Sequence, residues 1–244
     1  MKALILAAGY ATRLYPLTKD KPKALLTVGK QKILDFVIDE ILTIPEIDKI
    51  YIVTNSRFYE QFLEWSKTRT TTVEIEIVDD NTDSDENKLG AIGDIKFVLD
   101  KCLINDDLLI MASDNIFTFK LKDYYDYFKK VDDDTILVKK IDDPEELKRM
   151  ANVVRNADGL VTDMVEKPPV PISDIAAFAS YLYKKDTLKY IQKYLSEGNN
   201  PDAPGFFPSW LCKQKTLYSY MFEGECYDIG TPKSYEEVNI IFNK

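Results

Sequence analysis

The residues best equipped for chemistry in this chain gather around a stretch of small side chains near its start. The apolar run Ala3 to Ala8 leads through Leu6-Ala7-Ala8-Gly9-Tyr10-Ala11-Thr12-Arg13-Leu14 into Tyr15-Pro16-Leu17-Thr18 and then Lys21-Pro22-Lys23-Ala24-Leu25-Leu26. Ala7, Ala8, Gly9 and Ala11 let a ligand approach the backbone, whose N–H groups can hold an anion. Arg13 adds a forked donor suited to phosphate, and Lys23 a compact charge further on. From Tyr10 to Lys32 six cations accompany one acid, inside a chain of net charge −9, so a local anion site is expected there. A tight strand-to-helix turn with surface cations also accounts for the turn taken alone. The loop is not a Walker A sequence, because Gly29-Lys30 lacks the upstream glycine and a following Ser or Thr, and no G-x-G-x-x-G fingerprint occurs.

The chain has no histidine. That removes Ser-His-Asp and Cys-His catalysis, His-ligated metals and His general bases, and leaves carboxylates, lysine, arginine and backbone to run any chemistry. The acidic balance argues against a nucleic-acid partner, which needs clustered Lys and Arg. Cys102, Cys212 and Cys226 are odd in number and widely spaced, which gives neither a disulfide framework nor a zinc pattern and fits a reducing cytoplasm. No apolar run approaches the roughly 20 residues of a bilayer span, so no membrane partner is expected. Ala3 to Ala8 is also shorter than a signal-peptide core and reads as a buried first strand.

These residues must be positioned by alternating elements. Ala3–Ala8 is a strand; Leu34, Val37, Ile38, Ile41 and Leu42 fall at helical spacing; Ile50–Val53 is a buried strand; Phe58, Phe62 and Trp65 share a helix face. Val73, Ile75 and Ile77 alternate as in a strand, Ile92, Ile95, Val98 and Leu99 are helical, and Leu108–Met111 is another buried strand. Leu121, Tyr124, Tyr125 and Phe128 form a further helix face, and Tyr124, Tyr125 and Tyr127, like Met111 and Trp210, are assigned to the core. The order predicts an α/β, Rossmann-like, doubly wound and mostly parallel mixed sheet. After about residue 135 strand-like segments crowd together (136–138, 152–154, 160–165 and 175–183), followed by helical stretches near 188–195 and 206–212. A smaller α/β portion is expected there. No linker separates the parts, so residues 1–244 are expected to form a single catalytic domain with halves of about 1–134 and 135–244. The acidic run Asp79 to Asn87 is expected to be a solvated, mobile connection. Asp114 falls just beyond the strand Leu108–Met111, at the strand end where open α/β sheets bind ligands.

The full string from Leu6 to Leu26 resembles the N-terminal motif of the sugar-phosphate nucleotidyltransferases, L-A-A-G-x-G-T-R-L-x-P-L-T followed by P-K-x-L-L. Three more stretches agree in order: Ser113-Asp114-Asn115 with the family's G-D-N, Val165-Glu166-Lys167-Pro168 with V-E-K-P, and Asp228-Ile229-Gly230-Thr231-Pro232, with Tyr235 and Asn239, with D-I-G-T-P. Ala11, Ser113 and Ala179 stand where the family commonly has glycine.

The resemblance implies transfer of a nucleotidyl group from a nucleoside triphosphate to a sugar 1-phosphate, giving a nucleotide sugar and pyrophosphate. It implies that Arg13 holds the leaving pyrophosphate, Lys23 the phosphates at the reacting centre, and Asp114 and Asp228 an Mg²⁺ ion. Leu6, Ala7, Ala8 and Gly9, with Leu89-Gly90, would line the nucleotide site. Glu166 would hold sugar hydroxyls, Lys167 the sugar phosphate, and Ala179 would border the sugar pocket. Local alternatives exist for each: Asp114 as a cap, Asp228 as a turn residue, Glu166-Lys167 as a surface ion pair, Leu89-Gly90 as a helix start. The 244 residues hold no hexapeptide repeat and no room for the left-handed β-helix of several family members, so acyltransferase activity is not expected, and the likeness is to thymidylyl- or uridylyltransferases. A homo-oligomer is compatible with the resemblance. Two other readings remain: a cytidylyltransferase acting on phosphocholine or another non-sugar phosphate, and a catalytically silent nucleotide-sugar-binding regulatory subunit.

Overall fold

A computed structural model describes residues 1–243 of the chain, in two compact units. The first comprises residues 1–88, 112–122 and the stretch from Gly224 onward; the second comprises residues 89–111 and 123–223.

In the first unit the strands Lys2–Leu6, Lys49–Thr54 and Glu74–Asp79 pair in parallel, with Leu4 opposite Tyr51 and Tyr51 opposite Glu76. The helices Ile33–Ile41 and Tyr59–Lys67 connect them in sequence. Ile33, Leu34, Val37, Ile38 and Ile41 form one buried face, as their spacing predicts. Asp35 accepts the Lys32 N–H at 2.9 Å, satisfying a donor that the helix start leaves free. Its other oxygen accepts Trp65 Nε1–H at 2.9 Å, which ties the second helix to the first.

The same unit contains a smaller platform that positions the acids. Thr27–Val28 and Gln31–Lys32 form a hairpin turning at Gly29-Lys30. Gly29 has φ +60°, and a Cβ there would meet the Phe242 carbonyl oxygen at 2.6 Å, so only glycine fits. Asn115–Phe117 pairs antiparallel with Cys226–Asp228, and the helix Pro232–Phe242 closes over both small ladders. Leu26, Val28, Ile33, Ile116, Ile229 and Val238 form the apolar core beneath. Tyr235 Oη donates to Thr27 O at 2.7 Å and Gly29 N donates to Asn239 Oδ1 at 3.1 Å, so these two residues of the D-I-G-T-P element clamp the hairpin.

In the second unit the strand Ile175–Tyr183 is central. It pairs antiparallel with Leu108–Ala112, Thr135–Lys140 and Ala151–Arg155. Val161–Glu166 adds to Ala151–Arg155, and Tyr218–Met221 lies parallel to Thr135–Lys140. The helices Ala91–Lys101, Leu188–Ser196 and Phe206–Leu211 complete the unit. The α/β Rossmann-like expectation holds, with parallel pairing in the first unit and mixed pairing in the second. Among the described residues no helix is long and apolar enough to cross a membrane.

Several local expectations hold and others change. Tyr124, Tyr125 and Met111 are buried, and Tyr124 Oη donates to Thr135 O at 2.7 Å. Trp210 is only half-buried: its ring packs on Phe207 and Tyr194 while Nε1 donates to Glu197 at an exposed edge. The acidic run is not wholly solvated. Asp79 ends a strand, and Asp80 is buried with its Oδ1 accepting the Thr82 N–H at 2.7 Å.

Candidate functional site

The loop after the first strand is held open by contacts on its inner side. Ala7 N–H donates to Val53 O at 2.9 Å, so this amide is committed to the sheet. The Ala8 carbonyl accepts Asn55 Nδ2–H at 2.8 Å, and the buried Tyr10 hydroxyl bonds to Thr82 Oγ1 at 3.3 Å. The backbone N–H groups from Gly9 to Arg13 have no acceptor within the protein among the described residues. Gly9 is exposed, with open space where a side chain would project. Consecutive free amides beside an exposed arginine are suited to holding an anion. Leu6 is the last strand residue, and its carbonyl accepts the Ser113 N–H at 3.2 Å. Asn55 gave no sequence signal, because its role is to fix another residue's carbonyl.

Ala11 adopts φ 47° and ψ 42°, the left-handed conformation, at a position where the resemblance places glycine. Its carbonyl accepts Thr18 Oγ1–H at 2.8 Å, which holds the turn. Alanine pays about 1–2 kcal/mol for this conformation, partly offset by its smaller loss of unfolded-state freedom compared with glycine. Ala11→Gly is therefore expected to stabilise the fold by about 0.5 kcal/mol and to raise the thermal midpoint by roughly 1–2 °C. A lowered midpoint would show that strain at this residue does not govern the loop's stability.

Lys23 opens a short turn, Lys23–Leu25, anchored by the buried Ala24 and Leu25. Its Nζ lies 2.6 Å from Asp114 Oδ2 and 3.8 Å from Asp228 Oδ1. The two acids meet because Asp114 immediately precedes Asn115, which stands opposite Asp228 in the small ladder. The Asp228 carboxyl titrates above the usual carboxylate range: it sits in a recess crowded by protein, and the negative charge of Asp114 adds to the effect, while Lys23 and Arg13 act the other way. The recess remains open, with 69% of the Asp228 side chain exposed, so solvent moderates this shift. Lys23, Asp114 and Asp228 are thus neighbours, with Arg13 near enough for its charge to act on Asp228, and the three-residue strands that bring the two acids together were missed in the sequence because so short a run has no period to read.

The remaining expected site residues belong to the second unit. Gly90 has φ +79° and begins the helix Ala91–Lys101, and a Cβ on it would meet the Pro201 carbonyl oxygen at 2.6 Å. Leu89-Gly90 therefore has a structural duty as a helix start. Glu166 ends its strand with a side chain 7% exposed, and Lys167 Nζ approaches Glu166 Oε1 at 3.5 Å. Burial first raises the Glu166 carboxyl, and Lys167 opposes this. Lys167 has φ 47°, an unusual left-handed backbone for a lysine, and donates its N–H to Met150 O at 3.1 Å. Ala179 falls where the pairing of Ile175–Tyr183 with Thr135–Lys140 shifts register, between Phe178 and Tyr181. Such irregularities re-aim side chains near binding sites. An open groove of about 740 Å³ beside Lys96, Asp107 and Lys184 contains none of these residues. Two of its lysines are already paired, Lys96 with Asp100 and Lys184 with Asp107.

A strand-end loop with free amides, an arginine beside it and a lysine between two acids offers positive charge and hydrogen-bond donors to an anion. Over residues 2–243 the chain matches the nucleotidyl transferase family model, and it belongs to that family. Among curated relatives, mannose-1-phosphate guanylyltransferase 1 of Arabidopsis thaliana is 28% identical over 239 residues, covering 96% of this chain and 63% of the relative. Glucose-1-phosphate adenylyltransferase of Thermotoga neapolitana is 26% identical over 255 residues, covering 98% of this chain and 59% of the relative. The chain thus spans about three fifths of the length of these relatives. Among solved structures, a UDP-glucose pyrophosphorylase complexed with UDP-glucose superposes with a TM-score of 0.82 at 21% identity, covering 99% of this chain and 97% of that one. That likeness establishes the fold.

Proposed function

We propose that this chain transfers a nucleotidyl group from a nucleoside triphosphate to a sugar 1-phosphate, releasing pyrophosphate. The observation that carries the reading is the convergence of Lys23 on Asp114 and Asp228 beside the free amides after the first strand. The names of the curated relatives support a sugar 1-phosphate as acceptor.

In the proposed reaction an oxygen of the sugar phosphate attacks the α-phosphorus in line, and the bond to the bridging oxygen breaks as pyrophosphate leaves. A phosphate monoester has a second pKa near 6, so the nucleophile is already mostly a dianion at neutral pH. A histidine-free protein is therefore adequate, since positioning and charge neutralisation are the main requirements. The amides from Gly9 to Arg13 and the Arg13 guanidinium hold the departing phosphates. Lys23 reaches the phosphates at the reacting centre, exchanging part of its contact with the acids for them. Leu6, Ala7, Ala8, Leu89 and Gly90 are assigned to the nucleotide, and Glu166, Lys167 and Ala179 to the sugar phosphate.

The paired carboxylates of Asp114 and Asp228 suit a hard divalent cation, which takes one or two protein carboxylates and completes its shell from water and phosphate. The two carboxylates lie 2.6 and 3.8 Å from the Lys23 ammonium, so their negative charges are close together, a condition that a cation relieves. We assign Mg²⁺ to these two residues; when bound it would neutralise charge on the phosphates as they separate.

The overall likeness to short thymidylyl- and uridylyltransferases favours a pyrimidine, whereas the guanylyl and adenylyl names of the curated relatives favour a purine. Pyrophosphate release should be measured for five nucleoside triphosphates against glucose 1-phosphate, mannose 1-phosphate and phosphocholine, with and without Mg²⁺. The expected result is release that requires Mg²⁺ and a sugar 1-phosphate together. Release with phosphocholine alone would replace this reading by a cytidylyltransferase, and nucleotide binding without release in any combination would favour a silent binding subunit.

A further inference from the structure

Glu166 is held in an unusual seat. Its side chain is 7% exposed, and its charged neighbour is Lys167, at 3.5 Å on the Oε1 side. Tyr181 and Tyr194 lie within electrostatic reach of it: after burial, the negative charge of Glu166 is the next influence raising each tyrosine hydroxyl. On the Oε2 side stands Gly205, buried, at the start of the helix Phe206–Leu211. Its φ of −74° and ψ of −13° are ordinary right-handed values that alanine adopts freely, so no backbone requirement explains a glycine there. Space does. A Cβ on Gly205 would overlap Glu166 Oε2, lie 3.0 Å from Glu166 Cδ, and press on Ala151 Cβ at 3.1 Å. Ala151 is the residue opposite Glu166 in the antiparallel ladder, so strand and helix enclose the same small volume.

We propose that Gly205 is the positioning residue for Glu166: the volume left by its missing side chain seats the carboxylate, and that seat sets the grip on the hydroxyls of the sugar 1-phosphate. This rests on the reading of Glu166 as a sugar ligand. A Cβ at 205 drives the carboxylate out of its seat and misaligns its acceptor oxygens, while the triphosphate contacts assigned to Arg13 and Lys23 belong to other parts of the chain.

Two measurements test this. Gly205→Ala should raise KM for the sugar 1-phosphate at least tenfold while leaving KM for the nucleoside triphosphate within twofold. Adding Glu166→Asp, whose shorter side chain retreats from the new methyl, should recover part of that loss, although Glu166→Asp alone weakens the sugar-phosphate KM. An unchanged sugar-phosphate KM in Gly205→Ala overturns the proposal.

The second measurement does not depend on turnover. Gly205→Ala should lower the thermal midpoint clearly more when Glu166 is present than in a Glu166→Ala background, where only the close approach to Ala151 remains. A single variant that fails to fold beside a double variant that folds gives the same answer. Equal losses in both backgrounds overturn the seat. If the midpoints behave as expected but Glu166→Ala leaves the wild-type sugar-phosphate KM unchanged, the seat stands and the sugar-ligand reading of Glu166 falls, taking the functional half of the proposal with it.

Discussion

Replacing Asp228 with asparagine is expected to cut turnover by about 10²–10³-fold while moving the thermal midpoint by no more than roughly 2 °C. The two effects separate because Asp228 contributes differently to fold and chemistry. Its strand is held by backbone pairing with Asn115–Phe117 and by the apolar residues Ile116 and Ile229 beneath, none of which the substitution touches. The side chain is 69% exposed and has Lys23 at 3.8 Å as its cationic neighbour, so its loss removes little cohesion. Asparagine keeps the shape and relieves repulsion with Asp114. It also removes one of the two charges proposed to hold Mg²⁺, and loss of a metal-held charge at a phosphoryl centre is worth several kcal/mol of transition-state stabilisation. Steady-state turnover and a thermal melt on the same preparation check both halves. Near-normal turnover would exclude Asp228 from the reacting centre; a large fall in midpoint would make its role structural.

Lys23→Met is expected to do more damage. Methionine preserves an apolar stem in a side chain only 13% exposed, and deletes the charge that faces both acids. Turnover should drop by about 10³-fold, in the range seen when one pre-placed electrostatic donor is removed. Stability should also fall, by about 1–2 kcal/mol without divalent cations, because Asp114 and Asp228 are left facing each other in a partly shielded recess. A ligand of the folded state stabilises it by mass action, so under the proposed Mg²⁺ assignment adding the ion should raise the variant's midpoint more than the wild type's, where Lys23 already occupies the acids. Melts of both proteins across a Mg²⁺ titration give the comparison. Equal responses would mean that the carboxylates do not form the cation site.

Much of the first unit was legible in the residues. The apolar spacing of Leu34, Val37, Ile38 and Ile41 announced a helix, and Ile50–Val53 a buried strand, because long regular elements repeat a pattern that solvent exclusion imposes. The basic residues Arg13 and Lys23 were legible by type and by motif, and Ala11 as a departure whose backbone then proved left-handed. The juxtaposition of Asp114 with Asp228 was not derivable from local pattern. It depends on two three-residue strands far apart in the chain, which pair because Ile116, Ile229 and Val238 need a common core. Gly205 was equally silent, since the reason for it is a carboxylate on another strand. Asp80 misled because neighbouring acids suggest solvent, whereas its own side chain turns inward to cap the Thr82 amide.

Transfer to the sugar phosphate is tested by phosphorus NMR of the wild-type protein mixed with a nucleoside triphosphate, a sugar 1-phosphate and Mg²⁺. The triphosphate and sugar-phosphate resonances should decline together, replaced by the paired signals of a diphosphate diester and by free pyrophosphate in equal amount. Pyrophosphate accompanied by a nucleoside monophosphate, or orthophosphate accompanied by a diphosphate, would mean that water rather than the sugar phosphate takes the transferred group, and would contradict the account.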